Sequence, residues 1–218
     1  MGIRERRERE KEERRLHIID AAEKVFFSKG YSDATMDQIA QEAELSRGTL
    51  YLYFKGKDAV HREIVSRGMN MLYDLISARI GEASMGMDRL AIIWSTFIRF
   101  SKEHTDYFDA FMHYETKEID ISSEKEMENW LNRYKVIGLT VRSIREGILD
   151  GSIRPDIDPS TLALLFWTQV TGAIQLIRFK GALIKNLLKI QPDEFLEHFR
   201  KFVFEHIRLQ GQHQLKEA

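Results

Sequence analysis

One short stretch, TMDQIAQEAELSRGTLYLYFKGK beginning at Thr35, constrains the fold of this chain more than any other feature. Thr35 and Gln38 form the pattern of a capping box, which predicts the start of a short helix. Ser46 is placed to cap a second helix after a tight turn. Leu50 and Phe54 are four residues apart and therefore share the buried side of that second helix. The stretch predicts two short helices joined by a turn.

The second of these helices is only about two turns long, and its remaining residues lie at its N-terminus or on its outer faces. Arginine, threonine and tyrosine side chains can hydrogen-bond to base edges or phosphates, and glycine allows a backbone to approach closely. A helix whose N-terminal residues enter the DNA major groove needs such a face. The residues concerned are Arg47, Gly48, Thr49, Tyr51 and Tyr53.

Lys57 is predicted at the start of the next helix, where the helix dipole disfavours a cation. A DNA phosphate lying across that helix end would make the placement favourable.

The motif Thr-Leu-Tyr-x-Tyr-Phe-x-x-Lys at 49–57, preceded by Thr-x-x-x-Ile-Ala at 35–40, resembles the DNA-binding domain of the TetR family of transcriptional regulators. The resemblance is strong over residues 15 to 60 and extends elsewhere only as a general helical pattern. An alternative interpretation places these aromatic residues in the domain core, and it applies still more to the neighbouring Leu52. The resemblance implies DNA contacts by Thr35, Arg47, Thr49, Tyr51, Tyr53 and Lys57, and we add Ser46 and Gly48 to the predicted DNA-binding set.

The charge balance limits how such a chain can bind DNA. The 218 residues include 33 lysines and arginines and 34 acidic residues, for a net charge of −1. DNA affinity must therefore come from a local patch. Residues 47–67 contain five basic and two acidic side chains. The chain has no cysteine and no signal-peptide pattern, and its longest apolar run is Leu162–Trp167. We therefore expect a cytoplasmic protein without a membrane partner.

Helical periodicity along the rest of the chain predicts an all-α fold with a three-helix DNA-binding domain followed by a helical ligand-binding and dimerisation domain. The predicted boundaries are a charged arm at 1–15, a helix-turn-helix domain at 16–60 and the second domain at 61–218. The arm either extends the first helix as a solvated end or reaches along the DNA backbone. A predicted helix at 57–82 belongs to both domains and is suited to carry a signal between them.

Two predicted C-terminal helices indicate a homodimer. Residues 160–180 are apolar nearly all round, and residues 192–209 are amphipathic. Together they resemble half of a four-helix bundle at a two-fold axis. TetR-like proteins dimerise in this way, and two recognition helices held a helical turn apart read a palindrome.

The middle helices are rich in aromatic residues and methionine, which indicates either an apolar pocket for a small hydrophobic effector or ordinary core. The resemblance favours a pocket, with His113, Tyr134 and Gln169 as polar groups within it. Release of a repressor by the effector is the expected mode of action, and activation of transcription is the alternative. The predicted pocket residues are Trp94, Phe97, Phe108, Phe111, Met112, His113, Trp130, Tyr134, Trp167 and Gln169.

No catalytic, cofactor or metal motif is present. The seven histidines form no Glu-x-x-His or His-Glu-x-x-His pattern, and the chain has no phosphate-binding glycine loop. We therefore predict no enzyme activity. A helical enzyme and an architectural DNA-binding protein without an effector are the alternatives, and the neutral net charge disfavours the second.

Overall fold

A computed structural model describes residues 2–115 and 134–208, apart from the side chain of residue 115, and shows these residues as helices joined by turns and loops. Among these residues the one β-type pairing is an isolated bridge between Ile153 and Arg208. The predicted all-α class is confirmed. The helices are α1 Ile3–Asp33, α2 Met36–Glu42, α3 Arg47–Tyr53, α4 Lys57–Ile80, α5 Gly86–Glu103, α6 Thr105–Glu115, α7 Lys135–Leu149, α8 Pro159–Leu183 and α9 Pro192–Ile207.

The chain divides into two compact units, and the division differs from the predicted domain boundary after residue 60. The first unit contains the described residues up to Met71 together with α6, and the second contains Leu72–Glu103 and the described residues from Tyr134 onward. The boundary thus falls inside α4, and α6 groups with the N-terminal helices. The predicted roles of the domains stay predictions.

The core of the first unit is built from α1, α2, α3 and the first turns of α4. Ile18, Ile39, Leu50 and Ile64 contribute one fully buried side chain from each of these four helices. Their apolar burial holds the two short helices, which are too short to be stable alone.

The charged arm extends the first helix, so that α1 begins at Ile3. Its first turns are exposed and carry i,i+4 ion pairs such as Arg6–Glu10. At its other end Gly30 has φ +78°, a backbone conformation that favours glycine, and interrupts the helical geometry before Tyr31. Gly30 therefore marks a kink near the end of α1.

The second unit packs α5, α7, α8 and α9 around aromatic side chains. Trp94 of α5 lies with its ring centre 5.6 Å from that of Phe166 and 6.0 Å from that of Phe204. Gly86 at the start of α5 meets α7 so closely that an added Cβ would lie 2.2 Å from the backbone nitrogen of Gly147.

Helix α8 is apolar on more than one side. It begins at Pro159 after an Asp158 cap and continues beyond Leu183 as a π-helical turn, Ile184–Leu188. Among the described residues, this helical stretch is the one with the length and apolar character to cross a membrane. The core helix of a soluble protein meets the same criterion, so the finding assigns the chain to no membrane.

Candidate nucleic-acid interface

The two predicted caps of the helix pair are present. The Thr35 hydroxyl accepts a hydrogen bond from the Gln38 amide at 3.3 Å, and the Gln38 side chain accepts one from the Thr35 amide at 3.0 Å. The Ser46 hydroxyl accepts a hydrogen bond from the Thr49 amide at 3.1 Å. These bonds satisfy amide groups that helices leave without partners at their starts.

The turn between α2 and α3 is compact. Glu44 adopts a left-handed conformation with φ +52°, and the amide of Leu45 donates to the carbonyl oxygen of Ala40 at 2.9 Å. The cap at Ser46 follows at once. The turn and the cap together fix where α3 begins relative to α2.

Helix α3 buries one side and exposes the other. Leu50 and Phe54 are buried in the core of the first unit. Tyr51 is 40% exposed and Leu52 is 83% exposed. Arg47 and Gly48 are exposed, and Thr49 is half-buried.

One aromatic residue of α3, Tyr53, belongs in part to the core, as the alternative interpretation predicts. Tyr53 is half-buried and packs against the core of the first unit. The same alternative is wrong for Leu52, because its side chain lies on the solvent face. The signal was available in the sequence: Leu52 follows Leu50 by two residues, which turns it by about 200° around the helix.

Arg47 is held in place by two neighbours. Its guanidinium lies 3.2 Å from a carboxylate oxygen of Asp37 on α2 and 5.7 Å from the centre of the Tyr51 ring. A hydrogen bond with Tyr51, followed by the charge of Asp37, raises the pKa of Arg47 above its ordinary value. Asp37 thus orients a predicted DNA contact, a role that its sequence position alone did not indicate.

The ammonium group of Lys57 is bound by backbone carbonyl groups within the first unit. The Nζ atom donates to the carbonyl oxygens of Tyr31 at 2.7 Å, Ser32 at 3.2 Å and Ala34 at 3.0 Å. These carbonyls lie at the end of α1, and the cation offsets their negative charge. A phosphate contact by Lys57 remains a prediction, and it would require the ammonium group to leave these carbonyls.

The predicted basic patch between residues 47 and 67 is smaller than the sequence count indicated. Arg67 pairs with two carboxylates of α1, including that of Glu23 at 2.9 Å. Arg47, Lys55 and Arg62 keep exposed side chains on the first unit. DNA affinity would depend on these three cations more than on the formal charge of the stretch.

Comparisons with known proteins place this helix pair in a family. Residues 18–64 match the family described as bacterial regulatory proteins, tetR family. The HTH-type transcriptional regulator SrpR of Pseudomonas putida is 49% identical over 57 residues, which span 26% of this chain and 27% of SrpR. Residues 18–64 of this chain therefore carry a DNA-binding domain of the TetR family.

Two longer matches extend beyond the helix pair. The fatty acid metabolism regulator protein of Bacillus subtilis is 26% identical over 151 residues, covering 69% of this chain and 76% of the relative. The transcriptional regulator FadR from Bacillus subtilis, solved in complex with stearoyl-CoA, has a TM-score of 0.62 at 20% identity and covers 88% of this chain and 99% of its own. The fold of this chain thus matches that of a solved regulator along most of its length. Its relatives mark it as a DNA-binding transcription regulator and not as an enzyme.

The predicted effector residues divide between the two units. Phe108, Phe111, Met112 and His113 lie on α6 of the first unit, where the two phenylalanines are buried. Trp130 lies outside the described residues. Trp94, Phe97, Tyr134 and Trp167 are buried in the second unit, where Gln169 is half-buried.

Within the second unit the structure brings two of these residues together. The rings of Phe97 on α5 and Trp167 on α8 have centres 4.6 Å apart. Trp94 packs on other aromatic side chains of α8 and α9. These contacts are those of a packed core, and the assignment of the set to an effector pocket stays a prediction.

Proposed function

We propose that this TetR-family chain binds a palindromic operator as a homodimer, with α3 of each protomer in the major groove, and that a small hydrophobic effector releases it. One observation carries the proposal: α3 is pinned by buried Leu50 and Phe54 while Arg47, Tyr51 and Leu52 remain exposed. An exposed leucine beside an exposed tyrosine is unfavourable in water. In a major groove both gain apolar contacts, thymine methyl groups among them.

The homodimer is supported by uncovered apolar surface in the second unit. Single exposed apolar side chains are ordinary on a protein surface, but several of them along one pair of helices indicate an interaction surface. A two-fold arrangement of α8 and α9 would cover them with the same surface of a second copy. The exposed side chains are Leu164, Leu165, Leu176, Phe179 and Leu183 on α8 and Phe202 on α9.

The effector is proposed to be a hydrophobic molecule carried in the helical second domain. FadR, which shares this fold, was solved with stearoyl-CoA, a ligand with a long acyl chain. Stearoyl-CoA is therefore the first compound to test, with coenzyme A alone as the control that lacks the acyl chain. Regulation of this type operates on DNA in the cytoplasm, which is the location we propose.

Selection of bound sequences from random DNA, at two salt concentrations, tests the DNA-binding proposal. A recovered palindrome supports a sequence-specific dimer. Recovery of no preferred sequence, with steeply salt-dependent binding, would favour the architectural alternative.

A pair of variants links the selected operator to α3. Arg47→Ala is expected to weaken operator binding by about 1–3 kcal/mol and to relax the preference at one position. Arg142→Ala removes an equally charged, exposed side chain from α7 of the second unit and is expected to leave operator affinity unchanged. Equal losses of operator affinity in both variants would contradict the assignment of α3 as the helix that reads the operator.

A further inference from the structure

The first unit contains a half-open cavity of about 370 Å³ between α1, α4 and α6. Its volume is at the lower end of the range typical of small-molecule sites. All of its lining residues belong to the first unit, which also holds α3. It lies outside the set of residues predicted for the effector pocket except at His113.

The inner wall of the cavity consists of aromatic rings. His61 of α4 is 1% exposed and its ring centre is 5.7 Å from that of Phe26 and 4.7 Å from that of Tyr31, both on α1. His113 of α6 approaches Tyr31 with ring centres 4.2 Å apart. Phe27 completes the wall from α1. The wall therefore offers aromatic carbon to an apolar or cationic group.

The rim of the cavity is acidic on the α6 side. Asp106, Asp109 and Ala110 face the cavity from α6, and the exposed Lys29 faces it from α1. With the histidines counted as neutral, two carboxylates and one ammonium give the lining a formal charge of −1. The break in helical geometry at Gly30 leaves open space beside the rim, because a Cβ added there would meet no atom within 4 Å.

A cavity lined by both carboxylates and aromatic rings has the chemistry that recognises organic ammonium ions. Within residues 2–115 and 134–208, no group of three or more histidine and carboxylate side chains is arranged to hold a metal ion. We propose that this cavity is a binding site for a small organic ammonium ion with an apolar body. The ammonium group would sit between Asp106 and Asp109, and the apolar body would contact Phe27 and Ala110.

The proposal is independent of the operator, so its test contains no DNA. Binding of benzylammonium to the full chain is measured by calorimetry, beside benzyl alcohol and benzoate, which have the same ring with a neutral or negative group. The expected order is benzylammonium first, benzyl alcohol weaker and benzoate weakest. Benzoate binding as tightly as benzylammonium, or no benzylammonium binding at millimolar concentration, would overturn the proposal.

Three variants locate the site. Asp106→Asn combined with Asp109→Asn is expected to weaken benzylammonium binding about tenfold, since it removes charge-assisted hydrogen bonds. Ala110→Leu is expected to abolish binding by filling the cavity. Asp88→Asn, which neutralises one exposed carboxylate in the first turn of α5, is the control for net charge and should bind like the unaltered chain.

The variants also separate the site from general charge effects. If Asp88→Asn lost as much binding free energy per neutralised carboxylate as the double variant, benzylammonium would be responding only to net charge, and the proposal would fall. If Ala110→Leu fails to fold, the double variant decides, because its two side chains are exposed. Unchanged binding in the folded double variant would place the ligand elsewhere and would also overturn the proposal.

Discussion

The Nζ atom of Lys57 lies 4.3 Å from the centre of the Tyr31 ring and 2.7 Å from the carbonyl oxygen of the same residue. Helix α4 therefore begins with a cation that is bound to the end of α1. The Tyr31 hydroxyl in turn donates to the carboxylate of Asp58, the next residue of α4. This pair of contacts ties the first turn of α4 to the segment just before α2.

Replacing Lys57 with methionine is expected to lower the stability of the first unit. The change keeps a long apolar side chain but leaves three carbonyl oxygens without their charged donor, at a cost of about 1–3 kcal/mol. Chemical unfolding measures the loss. Lys55→Met, at an exposed lysine two residues earlier, is the control and should unfold like the unaltered chain. If Lys57→Met weakened operator binding without lowering stability, the main role of Lys57 would be to contact a DNA phosphate and not to hold the end of α1.

Leu52 is expected to contact a thymine methyl group. Replacing thymine with uracil removes that methyl from DNA, so one uracil substitution in the operator should weaken binding about fourfold. Leu52→Ala should lose affinity for the thymine operator and become insensitive to that substitution. Leu149→Ala, at a leucine that is 87% exposed in the second unit, should keep the full sensitivity. An unchanged uracil effect in Leu52→Ala would show that another side chain contacts the methyl.

Phe179→Glu is expected to separate the dimer. Phe179 is 76% exposed on α8 of the isolated chain, and a buried interface position there would not accept a charge. The expected loss is about 2–4 kcal/mol of association free energy, measured by sedimentation at several concentrations. Leu149→Glu places the same charge on an exposed leucine at the end of α7 and should remain dimeric. A dimer that survives Phe179→Glu would move the interface away from this part of α8.

Tyr107 is expected to make stability depend on pH under alkaline conditions. Burial, followed by its hydrogen bond to Glu23, raises the pKa of Tyr107 from 10.0 to about 12. The folded state thus holds the phenol proton more tightly than the unfolded chain. Its contribution to stability is present below pH 10 and is lost as the pH rises through about 12.

The stability difference between the unaltered chain and Tyr107→Phe should therefore narrow across that alkaline interval. The difference between their tyrosinate absorbance curves gives the midpoint directly. Glu23→Gln, which removes the negative acceptor, should move this midpoint back towards 10.0. An ordinary pKa for Tyr107 in the unaltered chain would contradict both the burial of its hydroxyl and the hydrogen bond to Glu23.

Local features of this chain could be predicted from its sequence, because their physical causes act within a few residues. The caps at Thr35 and Ser46 and the Pro159 helix start follow from side chains that bond to amides within three positions. The buried face of α3 follows from the spacing of Leu50 and Phe54. These features were sufficient for the helix-turn-helix and for the all-α class.

Contacts between distant residues decided the rest. Helix α6 packs with the N-terminal helices, where Tyr107 lies against Gly68 and bonds to Glu23, and no local pattern specifies that pairing. Lys57 turned inward because the end of α1, over twenty residues earlier in the chain, presents carbonyls to it.

The sequence by itself determined which segments are helical, where they are capped and which family the helix pair resembles. Only the tertiary structure decided which charged side chains bind partners within the protein, which apolar side chains remain exposed and where a cavity forms. The physical reason is range: capping and helical periodicity act over three or four residues, whereas burial and ion pairing depend on neighbours that the chain brings together only when it folds.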